Sequence, residues 1–148
     1  MKVLHDTFTV EREYKHAPAK VFKAWSNLET KMKWFGPPSG WTPEEQVFDF
    51  KVRGREIQAG THGNGRKTKF DSTLYEIVPD QRIVSVYDMY VDGAMISTSL
   101  CTLELTATGT GTALRYTEQG VYYDGNPASA AGRKEGTTWL LGRIAEVL

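Results

Sequence analysis

Between Glu44 and Gly120 the chain is cut into six short alternating runs, and this constrains the fold more than any other feature. The runs are Val47 to Val52, Arg55 to Thr61, Lys69 to Val78, Arg82 to Tyr90, Met95 to Leu105 and Ala113 to Gln119. The breaks between them are Arg53-Gly54, Gly63-Asn64-Gly65, Pro79-Asp80, Asp92-Gly93 and Gly109-Thr110-Gly111, all residues that tolerate tight turns. Connections this short leave no room for helical crossovers, so consecutive strands must pair antiparallel, as a meander. A sheet with one apolar face needs a cover.

The flanking segments supply that cover. Thr7 to Lys15 reads as one more strand, because Phe8, Val10, Arg12 and Tyr14 alternate with Thr9, Glu11 and Glu13. Pro18 then suits the first turn of a helix, and Val21, Phe22, Trp25 and Leu28 follow at helical spacing. The spacing predicts a short helix pair, broken near Asn27 and ended by Gly36-Pro37-Pro38. A long helix is predicted from Asn126 to Leu148, with Asn126-Pro127 as its start and Leu140, Ile144 and Val147 or Leu148 as its apolar stripe. Gly132, Gly136 and Gly142 each cost this helix about 1 kcal/mol relative to alanine. Its backbone is therefore expected to lie close against the sheet or a ligand. The expected class is α+β: a curved antiparallel sheet of about seven strands, two short helices and a long C-terminal helix, in one domain spanning residues 1–148.

Charge and cysteine content narrow the partners. With 148 residues, 40% of them apolar, the chain can bury about two thirds of its unfolded surface. Lys+Arg and Asp+Glu both total 18, which leaves no net field to attract nucleic acid or an anionic membrane, and neither partner is expected. The single cysteine, Cys101, excludes an internal disulfide framework, and MKVLHDTFTV lacks the apolar region of a signal peptide. A cytoplasmic location is the expectation. No stretch approaches the roughly 18 apolar residues of a membrane helix.

Four segments resemble a known family: Trp34-Phe35-Gly36; Phe48-Asp49-Phe50-Lys51-Val52-Arg53-Gly54-Arg55; Tyr75 to Ile83, YEIVPDQRI; and Glu135-Gly136-Thr137-Thr138-Trp139-Leu140-Leu141. In order and spacing they resemble the Hsp90-ATPase-activator-like branch of the START/Bet v 1-like (SRPBCC) superfamily. The resemblance implies the helix-grip fold, with a hydrophobic cavity between the C-terminal helix and the concave sheet face. It does not imply one function, since members include polyketide cyclases, lipid carriers and an Hsp90 co-chaperone domain.

Familiar catalytic motifs are absent from the sequence. Gly60 to Thr68, GTHGNGRKT, fails as a phosphate-binding loop because Arg66 stands where the lysine is required and no helix pattern follows; a hairpin turn is the better reading. His5, His16 and His62 are too far apart for a metal clip, so no metal or cofactor is expected, and Cys101 reads as a buried thiol. The sheet is more informative. Alternation puts Ile83, Ser85, Tyr87 and Met89 on one face, and Leu114, Tyr116 and Glu118 on one face of the last strand. By analogy with the family these faces point inward. Tyr87 and Tyr116 are then either core aromatics or polar groups in an apolar pocket, and Glu118 either reaches solvent at a strand end or supplies a carboxylate for general acid–base work.

KMKWFGPPSGW, residues 31–41, places Trp34 as a candidate lip residue of the cavity and Trp41 as a candidate lid; Trp139 is expected to touch the cavity or to anchor the helix beside it. The candidate ligand-binding set is Trp34, Phe48, Phe50, Tyr87, Met89, Tyr116, Glu118 and Trp139, with Glu118 and Tyr116 as weak catalytic candidates. The favoured function is binding of a small hydrophobic, cyclic or aromatic ligand without chemistry. The alternative is a cyclase, dehydratase or hydrolase in which Tyr87, Tyr116 and Glu118 move protons. Docking on Hsp90 is a third, less favoured, and a homodimer is compatible with each.

Overall fold

The computed structural model describes residues 2–148. The chain runs β1 (Leu4–Tyr14), α1 (Pro18–Ser26), α2 (Leu28–Phe35), β2 (Thr42–Phe48), β3 (Arg55–Thr61), β4 (Lys67–Val78), β5 (Arg82–Val91), β6 (Ala94–Ala107), β7 (Thr112–Tyr122) and α3 (Pro127–Val147). The seven strands form one antiparallel sheet in the order β1-β7-β6-β5-β4-β3-β2. The meander is therefore realised from β2 to β7, and β1 closes onto the far side of β7. This is the α+β helix-grip architecture expected from the sequence.

One strand lies elsewhere than expected. Alternation in FDFKV suggested Val47 to Val52, but β2 spans Thr42–Phe48 and the chain turns after it. The turn is fixed by hydrogen bonds from Asp49 N to Arg55 O (2.9 Å) and from Gly54 N to Lys51 O (2.8 Å), with Arg53 left-handed at φ 68°. A Cβ on Gly54 would lie 2.0 Å from Asp49 O, so only glycine closes this corner. β2 is an edge strand with its first six residues exposed, and no inward apolar pattern advertises it.

The helix ends follow local chemistry. Pro18 opens α1, and Asn27 ends that helix while its side chain accepts a hydrogen bond from Thr30 N at 3.0 Å to cap α2. Asn126 caps α3 in the same way through Ala128 N, at 3.0 Å, with Pro127 behind it. Phe8, Val10, Val21, Phe22, Leu103, Leu105, Leu114, Leu141 and Ile144 belong to one buried apolar cluster between the sheet and the helices. The C-terminal half of α3 is tied to β1 by the Tyr14 hydroxyl, which donates to Leu141 O at 3.3 Å. The N-terminal half of α3 is different: Cβ atoms added at Gly132 and Gly136 would meet nothing within 4 Å. Gly132 and Gly136 are exposed, so the expectation that the helix glycines mark close packing of the backbone against the sheet is corrected at these positions.

Candidate functional site

A cavity of about 880 Å³ lies between α3, the α1–α2 pair and the concave face of the sheet. Strand register builds its floor in rows. Phe8, Glu118, Cys101 and Ser85 are paired across β1, β7, β6 and β5, and Val10, Tyr116, Leu103 and Ile83 form the next row. Gly120, Ser99, Tyr87 and Ser72 form the row on the other side. Gly120 leaves the space into which Tyr122 folds: a Cβ there would lie 3.0 Å from the Tyr122 ring and 3.1 Å from Ser99 Oγ.

At the centre of this floor stands Glu118, 1% exposed. Its Oε1 accepts from the Tyr116 hydroxyl at 2.7 Å and from the Cys101 thiol at 3.7 Å. Its Oε2 accepts from the Tyr87 hydroxyl at 2.8 Å and from Arg133 Nη1 at 3.5 Å. Arg133, on α3, also donates from Nη1 to Tyr87 Oη and from Nη2 to Ser97 Oγ, both at 2.8 Å. Its guanidinium lies between the rings of Tyr87 and Tyr122, 5.5 and 5.4 Å from their centroids. The helix thus reaches across the cavity to the sheet through one side chain.

This environment sets the protonation states. Burial pushes the Tyr87 phenol well above its ordinary pKa, and the Glu118 charge adds to the effect. Burial does the same for Tyr116 and for the Cys101 thiol, so all three stay protonated donors at neutral pH. Burial works against the charge of Arg133, but Tyr87, Glu118 and Tyr122 together raise its pKa.

A second charged pair sits in the wall between α2 and β3. Lys31 Nζ is bonded to Glu56 Oε2, with both side chains buried, and it lies 5.1 Å from the Phe35 centroid and 5.8 Å from that of Trp25. Both partners line the cavity. The mouth is bordered by Pro38, Trp41, His62 and Arg66. Trp41 lies over Gly60, whose Cβ would come within 2.3 Å of the indole, and His62 Nε2 is 2.9 Å from Thr68 Oγ1 in the hairpin turn between β3 and β4.

The structure brings most of the sequence candidates together. Phe50, Tyr87, Met89, Tyr116 and Glu118 line the cavity. Trp34 lines it too, but at 2% exposure, with Nε1 donating to Ala24 O at 2.8 Å; it is a structural element of the wall and not a lip. Phe48 lies outside the cavity: it ends β2 before the turn that carries Phe50, and its ring is stacked on Phe50 at 6.1 Å with Lys31 Nζ 5.9 Å from its centroid. Trp139 is 63% exposed and stands at the rim, with the Arg143 guanidinium 5.1 Å from its ring. The reading of Glu118 as a solvent-reaching strand end does not hold, since its Arg133 and tyrosine partners bury it. Sequence reasoning missed Lys31, Glu56, Ser97 and Arg133. For Arg133 a signal existed: it stands in line with Ala130, Thr137, Leu141 and Ile144 at helical spacing, on the face α3 turns inward.

A model of the family described as "Activator of Hsp90 ATPase homolog 1-like protein" matches residues 15–148. The chain belongs to that family. Among curated proteins, none matches. Among solved structures, the protein Mll3558 from Rhizobium loti is 43% identical with all of both chains covered and a TM-score of 0.92. A protein from Rhizobium leguminosarum is 33% identical over 99% of this chain and 95% of its own, with a TM-score of 0.90. The Staphylococcus aureus protein SA2116, 16% identical over 99% of this chain and 94% of its own with a TM-score of 0.80, shares the fold. No helix of the described residues is long and apolar enough to cross a membrane, and no group of three or more His, Cys, Asp or Glu residues among them is arranged to hold a metal ion.

Proposed function

We propose that this member of the family binds a small hydrophobic, cyclic or aromatic ligand in its internal cavity. One observation carries the proposal: an apolar, aromatic-walled space of about 880 Å³ with a few converging polar groups, the size and character of ligand sites in proteins generally. A domain that only needed a packed core would not hold open such a volume, because interiors otherwise pack to crystal density. Native mass spectrometry of freshly purified protein, followed by titration with the fluorescent hydrocarbon amine 1-aminoanthracene, tests it. Saturable binding of one equivalent is expected. Ser85→Trp should abolish it, with circular dichroism checking the fold, because Ser85 lines the cavity on the same face of β5 as Tyr87 and the new ring would fill the space. Failure of the wild-type protein to bind the probe or to carry any co-purifying molecule overturns the proposal.

Catalysis by the same centre is the second reading, and the linked Tyr87, Tyr116, Glu118 and Arg133 side chains are the observation in its favour. Against it, both Glu118 oxygens already accept tyrosine hydroxyls, so the carboxylate would have to give up a partner to act as a base. Docking on Hsp90 rests on the family description alone.

A further inference from the structure

The hydrogen-bonding capacity of the Glu118–Arg133 centre bears on what sort of ligand the cavity takes, given that it binds one at all. We propose that it selects aromatic molecules carrying an uncharged acceptor oxygen, such as a ketone, ester or amide carbonyl, over the corresponding carboxylates and hydrocarbons.

Donor and acceptor bookkeeping carries this. The acceptors are used up: Oε1 of Glu118 takes the Tyr116 hydroxyl and the Cys101 thiol, and Oε2 takes the Tyr87 hydroxyl and Arg133. The donors are not. A guanidinium has five N–H groups, and those of Arg133 serve Tyr87, Glu118 and Ser97, leaving Nε and one N–H of Nη2 with no acceptor among the described residues. The Arg133 side chain is 16% exposed and borders the cavity, so it is not sealed within the protein. Arg133 lines the cavity beside Tyr87 and Tyr122. At this centre a ligand's polar atom therefore meets spare Arg133 donors, while both Glu118 oxygens are already occupied.

Charge decides between acceptors. The positive charge of Arg133 is already balanced by Glu118, which is almost wholly buried. A ligand carboxylate placed against Arg133 would bring a second negative charge beside Glu118, against a guanidinium that is already paired, an arrangement that costs more than it returns. A ligand ammonium would meet the like charge of Arg133 and find both Glu118 oxygens occupied. A carbonyl oxygen incurs neither penalty and gains a hydrogen bond from a charged donor. The walls supply the aromatic preference, with Trp25, Phe70, Tyr87 and Tyr116 bordering the space and the Phe70 and Tyr87 rings 4.8 Å apart.

Three probes of one shape test this by calorimetric titration at neutral pH: 2-acetylnaphthalene, 2-ethylnaphthalene and 2-naphthoate. The ketone should bind at least about fivefold more tightly than the hydrocarbon and at least about tenfold more tightly than the acid. In Arg133→Met the advantage of the ketone over the hydrocarbon should vanish while the hydrocarbon affinity stays within about twofold. Should that variant fail to fold, Arg133→Lys, which keeps a cation beside Glu118 but cannot serve Tyr87, Ser97 and a ligand together, should shrink the same ratio. Naphthoate binding as tightly as the ketone, equal affinities for ketone and hydrocarbon, or a ratio unmoved by the Arg133 substitution that folds each overturns the selectivity alone. Binding of none of the three overturns it together with the binding function itself.

Discussion

Two buried ionic groups, Glu118 with Arg133 and Lys31 with Glu56, are the residues on which the cavity turns, and they respond differently to substitution. Glu118→Gln keeps the shape but cannot accept from both tyrosines and still balance Arg133. Affinity for 1-aminoanthracene is expected to stay within about fivefold of wild type, because one hydrogen bond is worth about 1 kcal/mol net, while 2-naphthoate should gain relative to wild type now that Arg133 lacks its counter-charge. Parallel titrations, with product analysis, measure both. A compound turned over by the wild type and about 100-fold more slowly by this variant would instead favour the catalytic reading. The Lys31–Glu56 pair is mainly a matter of stability. Removing one partner, as in Glu56→Ala, leaves a buried ammonium and should cost roughly 3–5 kcal/mol, whereas replacing both with Met and Leu should cost much less. Urea denaturation of Lys31→Met, Glu56→Leu and the double variant, alongside Glu56→Ala, reads the difference, and additive losses of the first two would show that the pair is not coupled.

At the scale of elements, α3 is held at its C-terminal half and spans space at its N-terminal half. Gly142 lies on its exposed side, where an added Cβ would meet nothing within 4 Å. Gly142→Ala should therefore stabilise the protein by up to about 1 kcal/mol, raising Tm by roughly 2–4 °C without altering probe binding, and differential scanning calorimetry measures it. An unchanged or lower Tm would mean that the helix needs flexibility there. Much of this architecture was legible beforehand. Arg55–Thr61 was expected and found as β3, and the break at Asn27 and the start of α3 at Asn126-Pro127 follow from capping chemistry that acts within a few residues. β2 was not legible, because an exposed edge strand buries no face and leaves no apolar alternation, while the neighbouring FDFKV alternates across a turn. The site was half legible for a related reason. Periodicity finds the apolar and aromatic lining, Tyr87, Met89 and Tyr116, but buried ions are recognised by their partners, and Lys31 with Glu56 or Arg133 with Glu118 meet only after folding.

For the molecule as a whole, the buried phenols predict an alkaline limit to stability. Burial raises the pKa of Tyr14 to about 12 against the opposing charge of Arg12, and burial raises that of Tyr122 to about 12 as well. Below the ordinary value of 10.0 the phenols are protonated in both folded and unfolded chains. Above it the unfolded chain releases protons that the fold retains, so stability should fall between pH 10 and 12, by about 1.4 kcal/mol per pH unit for each such tyrosine. Urea midpoints across that range, alongside ultraviolet titration of the phenolates, check this; a midpoint constant to pH 12 would contradict it. Sheet order has a different kind of outcome. β1 pairs along its whole length with β7, Tyr14 opposite Thr112 and Leu4 opposite Tyr122, while every other strand pairs with its neighbour in sequence. On the ribosome, then, the first strand to emerge is the last to find its mate. Until Thr112, Tyr116 and Glu118 have left the exit tunnel, Tyr14, Val10 and Phe8 lack their partners, and the nascent domain carries an unpaired apolar ribbon while β2 to β6 are made.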